Sequence, residues 1–530
     1  YKSIMTTALR TGVWKRLISC IAQICIAAPL MFTSACSLPS LKGRSVSSAY
    51  IDTDKTPLGR AIAPKLAGQE ENISGIQLLF DPYEALAARI LLAQAAERSI
   101  DAQYYIWHGD ISGTLLFEAL YKAAERGVRV RLLLDDNGTQ GIDRLLAALN
   151  AHPNIEIRLF NPFLHRNARW FGFLTDFPRL NRRMHNKLYV VDNQAAIVGG
   201  RNIGDEYFDV PVQTAFIDAD LLGIGPVVRE SSRDFDRYWA SRSAYPAELI
   251  LPAAREEDIE NLHVQALGYE SNPAAGMYIQ ALKGSGAVRR LLDNTLEWHW
   301  APVRMISDPP AKGLGKAKSE DMLPAKLFYL AGMPEKSMEM VTPYFVPRKK
   351  DITRLTKLAG QGTKVHILTN SLMATDVPLV HSGYVGSRKP LLKAGISLYE
   401  WRHQMPKHFM VHRKGLGQSS SSSLHAKTFA IDGKFLFVGS FNYDPRSIRL
   451  NTECGFIIHS EEMASLVEET FLLTIPYSAY EVHLSPEGSL YWLERREDGG
   501  LIRHDKEPYT SWWQRLGVDF FSLLPIKWLL

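Results

Sequence analysis

The octapeptide His185-Asn186-Lys187-Leu188-Tyr189-Val190-Val191-Asp192 recurs in the second half of the chain as His425-Ala426-Lys427-Thr428-Phe429-Ala430-Ile431-Asp432. Each copy leads into a small-residue step, Gly199-Gly200-Arg201-Asn202 after the first and Gly439-Ser440-Phe441-Asn442 after the second. On an extended backbone residues two apart share a face, so each histidine and lysine can converge on one phosphate. Asp192-Asn193 and Asp432-Gly433 are hairpin turn signals. Each motif is therefore expected to be a strand, a tight turn and a return strand ending at glycine, with Asp192 and Asp432 serving mainly the turns. Gly200 and Ser440 would leave room for the phosphate, and Asn202 and Asn442 could donate hydrogen bonds to its oxygens.

Outward from the motifs a larger pattern repeats. Pro82 to Glu97 is amphipathic at helical spacing, Ile100 to Trp107 reads as a strand, Gly113 to Arg126 as a helix and Val128 to Leu134 as a strand closed by Asp135-Asp136-Asn137-Gly138. In the second half Met338 to Phe345, Asp351 to Ala359 and Val365 to Thr369 repeat strand, helix and strand, with Tyr344-Phe345-Val346 standing where Tyr105-Ile106-Trp107 stood. Alternating strands and helices, duplicated, predict an α/β protein of two pseudo-twofold-related α/β/α units packed around one shared active site. At 530 residues and 46% hydrophobic content the chain can bury two such cores.

Two histidines flanking a phosphodiester can divide the reaction, one attacking phosphorus as neutral imidazole and the other protonating the departing alcohol. Lys187 and Lys427 would carry the charge stabilisation that a metal supplies in many other phosphodiesterases, so no metal or other cofactor is expected. The paired HxKxxxxD motifs with G(G/S)xN downstream resemble the phospholipase D superfamily, over nearly the whole chain after Gly75. That resemblance implies a phosphohistidine intermediate, with His185 as nucleophile and His425 as acid/base. It also implies an orienting acid beyond each motif: Asp218 after His185, with Asp220 as its rival on the same strand face, and Glu453 after His425.

Gly199 to Tyr207 and Asn442 to Ser447, with Asn451-Thr452-Glu453, look like bacterial cardiolipin synthases, and the ending Leu523 to Leu530 is similar to the cardiolipin synthase C type. The implied activity is transfer of a phosphatidyl group to a phosphatidylglycerol-type acceptor, with phosphatidylethanolamine a possible partner lipid. The alternatives are a phospholipase D that passes the group to water and a nuclease of the same family. The net charge of +5 falls short of the basic bias of a dedicated nucleic-acid binder, so no nucleic-acid partner is expected. Aromatic residues from Phe160 to Phe177 interleave with Arg166, Arg169, Arg179, Arg182 and Arg183, a pairing suited to insertion beside anionic headgroups or to a buried core with a basic face. The tail from Trp512 to Leu530 could lie in a membrane interface or dock as a helix.

Residues 1–35 carry Arg10, Lys15 and Arg16 before an apolar run from Leu17 to Phe32, the layout of a signal peptide or an N-terminal anchor. Small residues precede Cys36 as in a bacterial lipoprotein signal, which would lipidate that cysteine and place the protein on the exported side of the cell envelope. Cys454 is then the lone cysteine of the body, which excludes disulfides and cysteine-rich zinc sites there. The expected organisation is a linker at 36–75, a first unit at 76–262, a connecting region at 263–336, a second unit at 337–480 and a C-terminal segment at 481–530. Pro309 to Lys318 reads as an exposed loop, and Ser419 to Ser423 as a flexible, solvated loop beside the second motif.

Overall fold

The computed structural model describes residues 37–209, 214–270, 287–293, 295–404, 421–496 and 498–530. The segment 1–35 and Cys36, with the expectations attached to them, lie outside the described residues.

The α/β duplication is present. The first unit orders its strands Ala244–Pro246, Ile155–Phe160, Arg129–Gly138, Ser99–Ile106, Leu188–Val191, Ala195–Gly199, Asp220–Ile224 and Ile73–Leu79. The second repeats the order with Ala479–Leu484, Ser397–Trp401, Lys364–Asn370, Ser337–Val341, Thr428–Ile431, Phe435–Gly439, Cys454–His459 and His299–Ser307. Ile73–Leu79 then pairs antiparallel with His299–Ser307, Ile73 opposite Pro302 and Ile76 opposite His299, which joins the units strand to strand about the pseudo-twofold. Thus His299–Ser307, expected in a connecting region, is an integral strand of the second sheet. Within each unit the three parallel strands are bridged by helices such as Ile111–Glu125 and Lys349–Gly360, the arrangement that a right-handed crossover requires.

Four local expectations change in three dimensions. The stretch expected as a linker packs on the first unit: Leu58 and Ile62 of the helix Pro57–Leu66 are fully buried, and Arg158 donates to the Ser45 carbonyl. The strand Arg129–Gly138 runs through the residues read as a turn, because Asp135 and Asp136 are held inside by Arg183 and Arg166. Pro310–Leu314 is a short helix whose Lys312 is buried, donating to Asp308 Oδ2 at 2.8 Å and the Ser447 carbonyl at 2.7 Å. Of the serine run, Ser419 and Ser420 lie outside the described residues, while Ser421–Leu424 is a buried strand and not a solvated loop: it pairs in parallel with Thr214–Ile217 of the first unit.

Candidate active site

The two motifs meet across the pseudo-twofold, and backbone pairing sets how. His185 N donates to the Thr452 carbonyl and Thr452 N to that of Arg183, while His425 N and Ala426 N both donate to Ile217. Each histidine is thereby registered beside the residue that precedes the other unit's acid. His185 Nδ1 lies 2.8 Å from Glu453 Oε2, and His425 Nδ1 lies 2.6 Å from Asp218 Oδ2. The residues expected as orienting acids are the ones that meet the imidazoles, but the expected partners are exchanged: each acid serves the histidine of the opposite half. Asp220 does not compete, because its carboxylate is held by Arg89 and Arg201. With Nδ1 on a carboxylate in both rings, Nε2 is the nitrogen left to face a substrate; Lys427 Nζ stands 3.2 Å from Nε2 of His425, and Lys187 Nζ donates to the His185 carbonyl at 2.8 Å.

The small residues serve this pairing. A Cβ on Gly200 would overlap Asp218 Oδ1, and one on Gly439 would overlap the Cys454 carbonyl. Gly200 thus makes room for the carboxylate, where the sequence suggested room for phosphate. At the equivalent position Ser440 Oγ donates to Glu453 Oε2 at 2.5 Å. Asn202 is not a free donor: its Nδ2 donates to Tyr207 Oη at 2.8 Å and its Oδ1 accepts from Ile106 N, so it braces the loop. Asn442 is buried with no hydrogen-bond partner for Oδ1.

Asp192 and Asp432 sit in the left-handed region at φ 50° and 55°, which aspartate tolerates in turns. Asp192 accepts from the backbone N–H groups of Glu97, Arg98 and Ser99, and Asp432 from those of Glu335, Lys336 and Ser337. Each ties the motif hairpin to the start of the neighbouring strand. Among the described residues their hydrogen bonds go to backbone and not to the histidines or lysines, as expected of turn residues.

Burial sets the electrostatics. His185 is pushed well below the ordinary imidazole value by burial, then by Lys187, Lys427 and His425, so it is neutral. His425 is lowered by burial and Lys427, against which Asp218 pulls upward. Burial brings Lys187 down to about 7 and Lys427 down to about 8, with the two acids opposing. The acids themselves differ. Burial would raise Asp218, but His425, Lys427 and Arg201 outweigh it and hold the carboxyl at about 2; burial prevails at Glu453, which rises to about 7. Glu453 Oε1 is buried with no hydrogen-bond partner, consistent with the cost of ionising it.

Several residues at the site carry no motif signal. The Tyr105 ring meets His185 edge-on with centroids 5.0 Å apart, and Lys187 Nζ lies 5.4 Å from the same ring. Tyr207 and Phe216 flank His425 at 5.2 and 5.0 Å. Tyr344, the repeat counterpart of Tyr105, donates to Asp376 at 2.7 Å. Their one legible sign was the shared position of Tyr105 and Tyr344 at the end of duplicated strands. Most of the expected arginines are not free: Arg166 and Arg169 pair with Asp143 and Arg183 with buried Asp135, while Arg179 pairs with the partly exposed Asp176 and Arg182 donates to the Pro178 carbonyl. The aromatic residues do not all follow, since Trp170 stays 67% exposed.

Two histidines, each on a buried acid and each beside a lysine, fit a composite phosphodiester-transfer centre, and comparison with known proteins bears on whose it is. The family described as "Cardiolipin synthase, PLD-like domain" matches residues 89–239 and 330–473, more than half of the chain. The chain belongs to this phospholipase D-like cardiolipin synthase family. Each matched segment holds one of the two motifs of this cardiolipin synthase family member, so the family resemblance covers both half-sites. Cardiolipin synthase C of Escherichia coli (strain K12) is 45% identical over 473 residues, spanning 89% of this chain and 99% of that protein. The cardiolipin synthase of Clostridium perfringens (strain SM101 / Type A) is 26% identical over 404 residues, 75% of this chain and 69% of that protein. In fold, the crystal structure of phosphatidylserine synthase from Haemophilus influenzae Rd KW20 superposes with a TM-score of 0.52 at 16% identity, covering 88% of this chain and 100% of that one.

Proposed function

We propose that this protein is a phosphatidyltransferase that makes cardiolipin or a related phospholipid, passing a phosphatidyl group to the hydroxyl of a phosphatidylglycerol-type acceptor. The observation that carries the proposal is the pair of imidazoles held by exchanged acids, His185 on Glu453 and His425 on Asp218. In the first step His185 Nε2 attacks phosphorus, the bond from phosphorus to the leaving oxygen breaks, and His425 gives that oxygen a proton. In the second, His425 takes the proton of the acceptor hydroxyl, the acceptor oxygen attacks phosphorus, and the phosphorus–nitrogen bond to His185 breaks. Lys187 and Lys427 hold the non-bridging oxygens, where an ammonium on each side offsets the charge that builds in the transition state.

The assignment of roles follows from the electrostatics. A nucleophile must be neutral, and His185 is the imidazole held furthest toward neutrality. An acid must take up and give a proton, and His425, although burial and Lys427 lower it, is the imidazole that Asp218 pulls back upward, beside a carboxylate that stays ionised throughout the physiological range. Transfer is favoured over hydrolysis by enclosure: His185 and His425 are buried, and Tyr105, Tyr207 and Phe216 wall the rings from water.

The lipid reaches the site from a membrane. Trp170, Leu174 and Phe177 on one side and Trp512, Trp513 and Leu523 on the other are exposed. Arg446 ties the two arms together, donating to Asn181 just past Phe177–Leu180 and to the Leu529 carbonyl of the tail. Tryptophan at this density suits the headgroup layer, and with a lipidated Cys36 the arms would give the second of two anchoring signals at the cell envelope.

Lipid mass spectrometry in a cardiolipin-deficient bacterium tests the reading. The wild type should restore cardiolipin and the His185→Ala and His425→Ala variants should not. Cardiolipin formed equally by the variants would refute the catalytic assignment, and phosphatidic acid formed in its place by the wild type would make the enzyme a hydrolase.

A further inference from the structure

The units are not symmetric behind the site. The helix that follows the acid-bearing strand of the first unit, Pro226–Trp239, buries Val227, Val228, Phe235, Tyr238 and Trp239 against its sheet. Its counterpart in the second unit, Glu461–Leu473, buries only Met463, Ala464 and Phe471. Between that helix and the sheet lies a cavity of about 250 Å³. Its floor includes Ala426, which sits between His425 and Lys427 and faces away from them, and Ile217 and Ala219, which bracket Asp218. Leu78, Phe80 and Leu466 line it and are 43%, 43% and 52% exposed, so its rim opens to the surface through apolar side chains.

The lining decides what kind of molecule fits. Among the described residues no charged side chain contributes to it. Two of its hydroxyls are already turned to their own helices, Thr470 Oγ1 donating to the Leu466 carbonyl at 2.7 Å and Ser478 Oγ to that of Thr474 at 3.2 Å. A charged headgroup would find no counter-charge among those described residues. An apolar cavity of roughly 150 Å³ already stays dry and takes an apolar guest, and this one is larger. The lining face of the helix from Met463 to Phe471 runs roughly 12 Å, and Thr474 to Ser478 carry it through another turn. The sum is close to half of the roughly 30 Å hydrocarbon core of a bilayer, which is the reach of one acyl chain.

We propose that this cavity is a fatty-acyl site that takes one chain of a membrane phospholipid, through the rim at Leu78, Phe80 and Leu466. It lies on the face of the sheet opposite the imidazoles and is separate from the phosphate centre. An acyl chain there fills the space under Ala426 and Ala219 and so supports from behind the backbone that sets His425 on Asp218.

Photolabelling of the full chain tests this, with a phosphatidylglycerol carrying a diazirine at the end of one acyl chain, presented in phosphatidylglycerol/phosphatidylethanolamine vesicles. Label is expected on peptides spanning 461–478, and it should fall at least fivefold in Val467→Trp and in Thr470→Trp, which fill the cavity from the helix. Two replacements are used so that the one retaining the wild-type melting temperature is the one scored. The His425→Ala chain should label as the wild type does, which keeps this result independent of the proposed reaction. Label confined to the aromatic arms, label at 461–478 that the tryptophan variants leave unchanged, or label there from a free diazirine fatty acid but not from the phospholipid would each overturn the proposal.

Discussion

Exchange of the orienting acids makes a prediction that the motifs by themselves do not. In Asp218→Asn the amide keeps the shape of the side chain but removes the charge from a buried contact of 2.6 Å to His425 Nδ1; Glu453→Gln does the same to His185 at 2.8 Å. A hydrogen bond to a charged group is worth roughly 1.5–3 kcal/mol, so each change should cost roughly 10- to 150-fold in the step that its histidine performs. A phosphatidyl ester of p-nitrophenol separates the steps, because that leaving group departs without protonation. On this donor the first turnover, read as a burst of p-nitrophenol, should be slowed by the full factor in Glu453→Gln and by no more than about threefold in Asp218→Asn. On a natural donor both variants should be slow. The reverse burst pattern, with phosphohistidine recovered on the peptide containing His185, would refute the exchanged pairing; the same pattern with phosphohistidine on His425 would keep the pairing and reverse the roles.

Three further outcomes are expected. Gly200→Ala places a methyl against Asp218 Oδ1, so turnover should fall by at least tenfold with a loss of roughly 1–3 kcal/mol in stability, read by steady-state assay and thermal melting. In the pH profile of kcat/KM the alkaline limb should lie between about 7 and 8, where Lys187 and Lys427 lose their protons and with them the hold on phosphate. The acid limb should lie near 7, where Glu453 gains one, and should vanish in Glu453→Gln; as these groups interact, the limbs report the cluster and not single residues. Finally, Trp170→Ser combined with Trp513→Ser should weaken flotation with anionic vesicles at least tenfold, while turnover of a short-chain soluble substrate stays within twofold.

The sequence determined the paired motifs and the fold class, because both depend on local pattern. Alternating burial, the hairpin signals at Asp192 and Asp432, and the duplicated histidine and lysine spacing are properties of a few neighbouring residues, and they place the reacting groups and the repeated units without a third dimension. Asp218 and Glu453 were within reach as candidates through the family resemblance, which implies an acid at about that distance beyond each motif. Which histidine each serves was not, since that depends on the pairing of Thr452 with His185 and of Ile217 with His425 between distant parts of the chain. The same holds for Gly200, whose purpose became visible only beside Asp218, for Ser421 to Ser423, which proved to lie in a strand joining the halves, and for Arg166 and Arg183, which turned inward to Asp136 and Asp135. Composition signals a charge or a small side chain, but only packing across the pseudo-twofold decides what it meets.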